Sequence, residues 1–182
     1  MSPASSASVE LIPMFCIRCQ TPVPARPDEV AWVCTNCSQG MLLSDEKGLL
    51  AFEFHFSSAI PAGAKGKPYW IATATVSMQR QTFRGNQTNE MLAFWQQPRS
   101  FFVPAYEIPL QQLVTLGVQY LRQPPVLQPG NPAPFEPVTA LPTDIRSLAE
   151  FIILEVEAER KDDLKRLDFS LALEQPELWI LP

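Results

Sequence analysis

Two Cys-x-x-Cys pairs near the amino terminus constrain this chain more than any other feature. Cys16 and Cys19 form the first pair, and Cys34 and Cys37 form the second after fourteen intervening residues. Two residues between the cysteines let the backbone curl so that both thiolates face one point. Two such turns complete a tetrahedron with metal–sulfur bonds of about 2.3 Å. The spacing therefore predicts one tetrahedral metal site that uses all four sulfurs.

The cysteine count and the start of the chain favour metal over disulfides. All four cysteines belong to these pairs, and residues 1–9 have neither the basic nor the apolar stretch of a secretory signal. Disulfides persist mainly in secreted proteins, so we expect a cytoplasmic protein whose thiols are available for metal. Residues 1–9 are expected to form a flexible tail.

Zinc in a structural role is the expected metal. A module of about 35 residues has little apolar surface to bury, and metal binding supplies the missing free energy, on the order of 10 kcal/mol in small zinc peptides. Four thiolates also leave no open position for water or substrate. Iron is the alternative metal, since four thiolates suit it and would permit a redox role. Thiol redox chemistry of free dithiols is a third alternative, which paired motifs at metal spacing disfavour.

The cysteine pairs, with strand-like residues 30–33 and 40–43 beside the second pair, resemble the zinc-ribbon superfamily of rubredoxin-like and transcription-factor-type ribbons. The resemblance covers residues 10–44 and implies a small β fold and a bound metal, but no particular activity. In the commonest ribbon turn, glycine directly follows the second cysteine, whereas this chain has Gln20 and Ser38 there. The aromatic stretches of the remaining chain look similar to bacterial ribbon-containing proteins and imply no function.

Residues 46–182 predict a second domain of the α+β class, an antiparallel sheet packed with two helices. Apolar and polar residues alternate at 50–56, 69–79 and 167–174, a further strand is expected at 100–103, and an apolar stretch lies at 178–181. Alternation is typical of strands with one buried face and argues against a parallel sheet buried on both faces. Polar residues 80–90, centred on Gly85 and Asn86, favour a hairpin connection into residues 91–95.

Two segments of the second domain have apolar residues at helical spacing, 109–122 and 143–160. Pro109 suits the first position of one helix, and Thr143 suits the N-cap of the other. Seven prolines at residues 122–142 indicate a stiff loop. This loop is interpreted as a surface connector, with docking to an aromatic groove as the alternative.

Charge is unevenly distributed along the chain. Residues 65–122 carry six basic and two acidic groups, whereas the segments on either side are acidic. The candidate binding residues of this middle segment are Lys65, Lys67, Arg80, Phe83 and Arg84. They would form a mildly basic surface for an acidic partner, and ordinary scatter of charge is the alternative interpretation.

The motifs favour a binding protein over an enzyme. His55 is the one histidine of the chain, and no nucleophile-elbow or phosphate-loop motif is present. We therefore expect a non-enzymatic protein-interaction, adaptor or assembly module, which contacts another protein through the loop at residues 21–30 or through the middle surface. Binding of RNA or single strands is the alternative, which the acidic balance of residues 10–44 disfavours. Membrane insertion is not expected, since no stretch approaches roughly 20 apolar residues.

Overall fold

A computed structural model describes residues 13–44 and 46–182 of the chain. The chain divides into two compact units, with the boundary between Phe52 and Glu53. Both units contain antiparallel strands and the second contains the helices, so the α+β class is confirmed. Within the described ranges, no helix has the length and apolar character needed to cross a membrane.

The first unit contains a three-stranded antiparallel sheet. Its strands are β1 (Ala31–Val33), β2 (Gly40–Ser44) and β3 (Gly48–Ala51), in the order β1-β2-β3. Trp32 lies opposite Met41 in the β1–β2 register, and both side chains are buried. They form a small core with Val23 and two of the four cysteines, Cys16 and Cys34.

The alternating residues 50–56 form two strands in place of the single predicted one. β3 contains Leu50 and pairs with β2, and the backbone N–H of Phe52 donates to the carbonyl of Gly40 at 2.9 Å. β4 (Phe54–Phe56) belongs to the second unit. The first unit thus continues past residue 44, because β3 pairs with β2 as the third strand of its sheet.

The second unit is organised around one long central strand. β5 (Lys67–Arg84) pairs antiparallel with β6 (Arg99–Pro104), β7 (Asp163–Leu173) and β8 (Glu177–Leu181). These pairings confirm the predicted antiparallel sheet. The exception is β4, which runs parallel to β8 at the edge.

The two predicted helices are present, with small differences at their ends. They are α2 (Leu110–Arg122) and α3 (Ile145–Ala158). A 3-10 turn (Pro142–Asp144) precedes α3, and there the Asp144 carboxylate accepts the N–H of Leu141 at 2.9 Å. α2 and α3 approach closely at Gly117, where a Cβ atom would collide with Ile152.

A third helix, α1 (Thr88–Trp95), shows that the predicted hairpin after residue 80 was wrong. β5 continues to Arg84, and Gly85 then turns the chain with a φ of +73° beside Asp162. The chain returns through α1 to β6, so a helix connects two adjacent antiparallel strands.

The proline-rich residues 122–142 lie along the second unit. The N–H of Gly130 donates to the carbonyl of Phe56 at 2.7 Å, and the N–H of Gly66 donates to the carbonyl of Pro134 at 2.8 Å. The indole N–H of Trp70 donates to the carbonyl of Ala140 at 2.7 Å. These contacts use backbone groups of the loop within its own unit, which supports the connector interpretation over the docking one.

A buried ionic network joins β5 to α3 and to the turn that follows it. The Arg80 guanidinium donates two hydrogen bonds to the Asp162 carboxylate, at 2.6 and 2.8 Å, and its Nε lies 3.4 Å from Oε2 of Glu157. Glu157 also accepts hydrogen bonds from Arg160 and from the indole N–H of Trp95 on α1. The side chains of Arg80, Glu157 and Asp162 have no solvent exposure.

The balance of charge in this network sets the protonation of Asp162. Burial alone would raise the pKa of this carboxyl group, but hydrogen bonds from Arg80 and from the backbone N–H of Gln87, with the nearby positive charge, bring its pKa below the ordinary value. Asp162 is therefore an anion at neutral pH and keeps Arg80 in place.

We predict that Arg80→Met lowers the free energy of unfolding of the second unit by about 3–5 kcal/mol, because it leaves two buried carboxylates without their shared cation. Arg84→Met, at an exposed position four residues later on β5, is the matched control and should change stability by less than about 0.5 kcal/mol. Urea denaturation followed by tryptophan fluorescence measures both. Equal stabilities of the two variants would contradict the structural role of Arg80.

Candidate metal centre

Each Cys-x-x-Cys pair lies in a tight turn, and the two turns have the same hydrogen bonds. In the first turn the N–H of Cys16 donates to the carbonyl of Thr21 at 2.8 Å, and the N–H of Gln20 donates to the carbonyl of Cys16 at 2.9 Å. In the second turn Cys34 and Ser38 make the corresponding bonds, at 2.8 and 2.9 Å. The two halves of the site are therefore built alike.

The residue after each pair has a left-handed backbone. Gln20 and Ser38 both have a φ of +59°, a conformation that glycine adopts without strain and other residues adopt at a cost. These are the two positions at which the sequence departs from the commonest ribbon turn. The backbone thus adopts the left-handed conformation at both positions with residues that do not favour it.

The four sulfurs converge on one point. All four Sγ atoms lie within 4.8 Å of one another, with Cys16 and Cys37 at 3.6 Å and Cys19 and Cys34 at 3.5 Å. A tetrahedron with metal–sulfur bonds of about 2.3 Å has sulfur–sulfur edges of about 3.8 Å. The separations therefore match a four-thiolate metal site, and they exceed the ~2.05 Å of a disulfide bond.

The groups around the sulfurs shift the pKa values of the cysteines in different directions. Hydrogen bonds from the hydroxyl and backbone N–H of Thr21 lower the pKa of Cys19 to about 5. At Cys37 the backbone N–H of Gln39 lowers the pKa, but burial and the neighbouring sulfurs outweigh it and raise the pKa to about 12. Negative charge on one sulfur thus opposes charge on the next, a conflict that a divalent cation removes.

The loop between the two turns is held by one carboxylate. Oε2 of Glu29 accepts the backbone N–H of Arg26 at 3.0 Å and the indole N–H of Trp32 at 2.8 Å. Val23 in the same loop is buried against the cysteine turns. The loop at residues 21–30 is therefore tied to the core that supports the second cysteine pair.

The structure does not bring the five candidate binding residues together. Lys67 and Arg84 are the two ends of β5, an 18-residue strand, and at 3.3 Å per residue they lie roughly 55 Å apart. Lys65 pairs with Glu136 at 3.1 Å, and the Lys67 ammonium lies 5.8 Å from the ring centre of Tyr106. These two lysines and the other end of β5 belong to separate surfaces.

The C-terminal end of β5 also differs from the basic surface that was predicted there. The Arg80 side chain is completely buried in its ion pairs, so it is removed from the candidate surface. Phe83 is 72% exposed, with the Lys165 ammonium 5.6 Å from its ring centre, and Arg84 lies opposite Asp163 in the β5–β7 register. At this end of β5 only Phe83 and Arg84 of the expected patch are exposed, and Lys165, which was not predicted, lies beside the Phe83 ring.

Sequence reasoning missed two features of the second unit. Glu157 was not singled out, yet it is buried, and the one available signal was its position beside the buried Val156. The second feature is a groove between β5 and α1, which was missed because α1 itself was not predicted.

Comparisons of this chain with protein-family models, with curated proteins and with solved structures find no match. The class of site is therefore defined by its own geometry: four cysteine sulfurs in two like turns, compatible with a ribbon-type metal centre.

We predict that Cys34→Ser prevents metal retention and unfolds the first unit while the second unit stays folded, because the latter has its own core of sheet and helices. The indole signal of Trp32 should lose its dispersion in proton–nitrogen NMR spectra, while that of Trp70 keeps its position. Thr35→Ser, in the same turn, is the control and should behave like the parent protein. Loss of both indole signals in the Cys34 variant would show that the units do not fold independently.

We further predict that Gln20→Gly and Ser38→Gly each stabilise the first unit by about 1 kcal/mol, because glycine has no Cβ penalty at positive φ. Arg18 lies in the same turn without a positive φ, so Arg18→Gly is the control and should destabilise by a similar amount or less. Resistance of the metal to a competing chelator measures the effect. A loss of stability in both glycine variants at residues 20 and 38 would contradict the left-handed geometry.

Proposed function

We propose that this chain is a non-enzymatic adaptor whose N-terminal unit is a ribbon folded around one structural zinc ion. The observation that carries the proposal is the convergence of the four sulfurs within 4.8 Å. A tetrahedral ion bound by all four has no open position for water or substrate, which is the arrangement of structural sites. The metal would then stabilise a surface and leave chemistry to other proteins.

Zinc is favoured over iron because the role assigned to the site is structural. Zinc has no redox chemistry and accepts tetrahedral thiolate ligands without a geometric preference of its own. Iron satisfies the same four thiolates, so metal analysis of the purified protein distinguishes the two.

The environment of His55 supports a binding protein over an enzyme. Its ring stacks on Trp179, with ring centres 5.0 Å apart and planes 25° from parallel, and both residues lie in the paired strands β4 and β8. These contacts give the histidine a role in joining two strands.

The ribbon surface around the first cysteine turn suits contact with another protein. Phe15 and Ile17 flank Cys16 and are 47% and 41% exposed. The adjacent loop at residues 21–30 is held in place by Glu29, so a partner would meet a preformed surface with little loss of conformational entropy. We propose this surface as the ribbon's interface.

Binding of RNA or single strands, the alternative function, has less support. Such binding combines clustered lysine and arginine with exposed aromatic rings. In the second unit the lysines at the start of β5 are separated from Phe83 and Arg84 by the length of the strand.

The proposal predicts that affinity purification of the tagged chain from its native cell recovers a protein partner, and that Ile17→Asp reduces its recovery by about tenfold or more. Leu110→Asp, at an exposed leucine of α2 (50% exposed), is the matched control and should not change recovery. Fluorescence anisotropy with random single-stranded oligonucleotides should show no binding at physiological salt. Partner recovery that is equal in both variants, or tight salt-dependent oligonucleotide binding, would contradict the proposal.

A further inference from the structure

Among residues 13–44 and 46–182, one side of β5 has no strand partner beyond Ala74. Ala74 lies opposite Arg99 of β6 and also opposite Leu173 of β7, so β6 and β7 lie on opposite sides of β5. β7 continues along one side to Arg84, whereas β6 pairs only as far as Ala74. In the part of the chain that the structure describes, no strand takes the place of β6 beside residues 75–84.

The alternation of the antiparallel ladder shows which groups face this free side. The N–H of Glu174 donates to the carbonyl of Thr73 at 2.8 Å, so alternate residues from Thr73 onward bond to the β7 side. The N–H and C=O groups of Val76 and Met78 therefore point to the free side. The same alternation directs the carbonyl of Leu171, opposite Val76, away from β5, where it accepts a hydrogen bond from Arg146 at 2.9 Å.

The two outer edges of the β5–β7 pair differ in their protection. β7 has charged residues at positions 165, 166 and 168. Its pairing with β5 contains register shifts, and the Arg146 side chain donates a hydrogen bond to the carbonyl of Leu171 on its outer edge. Charges and bulges of this kind keep strand edges from pairing with other chains. Residues 75–79 of β5 contain no charge and no proline, and their register is regular. The edge of β5 at residues 75–79 is therefore able to pair with another strand.

Helix α1 makes a groove along this edge. The groove has a volume of about 630 Å³, and none of the residues that line it is charged. Met91 and Trp95 are buried at its base, while Leu92 is 54% exposed at its rim. Unpaired backbone groups beside an apolar helix match an extended chain, which can satisfy the edge with its backbone and direct alternate apolar side chains toward α1.

We propose that the groove between β5 and α1 binds an extended, uncharged and partly apolar segment of a partner protein by strand addition. The proposal rests on the adaptor function and gives it a class of partner. Its site lies in residues 53–182, so it depends neither on the metal nor on the ribbon surface around Phe15 and Ile17.

A second copy of this chain fits the groove less well. Two β5 edges that pair antiparallel are related by a twofold axis perpendicular to the sheet. Equivalent faces of the two copies therefore lie on the same side of the joined sheet. Both copies of α1 would then flank the same seam, and a groove with one helical wall would have to hold two. A single strand without its own flanking helix avoids this crowding.

Selection from a random nine-residue peptide library displayed on phage tests the proposal with the full-length chain. We expect selected peptides with alternating apolar residues and no charge at their centre. A synthetic copy should slow hydrogen exchange at the amides of Val76 and Met78 and leave those of Leu167 and Phe169 on β7 unchanged. Methylation of alternate peptide nitrogens should weaken binding by about tenfold or more, since it removes the main-chain bonds.

Leu92→Lys should weaken peptide binding by about tenfold or more, because it places a charge at the apolar rim. Leu154→Lys is the matched control, at a leucine of α3 with 44% exposure, and should bind as the parent does. The proposal is overturned if every selected peptide binds Leu92→Lys as tightly as the parent chain, or if methylation of the peptide leaves its affinity unchanged. Dimerisation of the chain that Leu92→Lys abolishes would put a second copy in the groove and also overturn it. Each of these outcomes leaves the Ile17 result, and with it the ribbon interface, unaffected.

Discussion

The convergence of four cysteine sulfurs is the constraint on which the N-terminal unit depends. Its sheet has strands of three to five residues, and two of the five buried residues that pack together in the described part of this unit are cysteines. A core of this size contributes little to folding, and the metal that we propose at the four sulfurs would supply most of the missing free energy. The two like turns, the tethered loop at residues 21–30 and the exposed Phe15 and Ile17 all have positions defined by this cluster.

The second unit is held by a different kind of constraint. β5 supplies a partner for β6, β7 and β8, and Arg80 in its second half joins the strand to Glu157 and Asp162. Buried ion pairs add little net stability compared with apolar packing, but the loss of one partner is costly, so separation of the elements that carry them is disfavoured. Here they set the position of α1 through Trp95, and α1 in turn forms the wall of the groove beside β5. The docking site that we propose is therefore a consequence of the buried network.

Local patterns in the sequence predicted the parts of the fold that depend on neighbouring residues. The cysteine spacing predicted that the four sulfurs form one cluster. The periodicity of apolar residues predicted α2 and α3 with ends within two residues of the observed ones. α1 was missed because it has eight residues, and Gly85 and Asn86 before it are a strong turn signal. The Arg80–Asp162 pair joins residues 82 positions apart, a contact that no local pattern encodes. The grouping of Lys65 with Arg84 failed because closeness in sequence within a strand becomes distance in space.

The central claim is that the four cysteines bind one structural zinc ion with no other ligand. X-ray absorption spectroscopy at the zinc edge, on protein purified without added metal, tests it most directly. The account predicts one zinc per chain with four sulfur neighbours at about 2.3 Å and no nitrogen or oxygen in the coordination shell. A shell that contains an oxygen or nitrogen ligand would indicate an open, reactive site, and protein without zinc would contradict the claim outright.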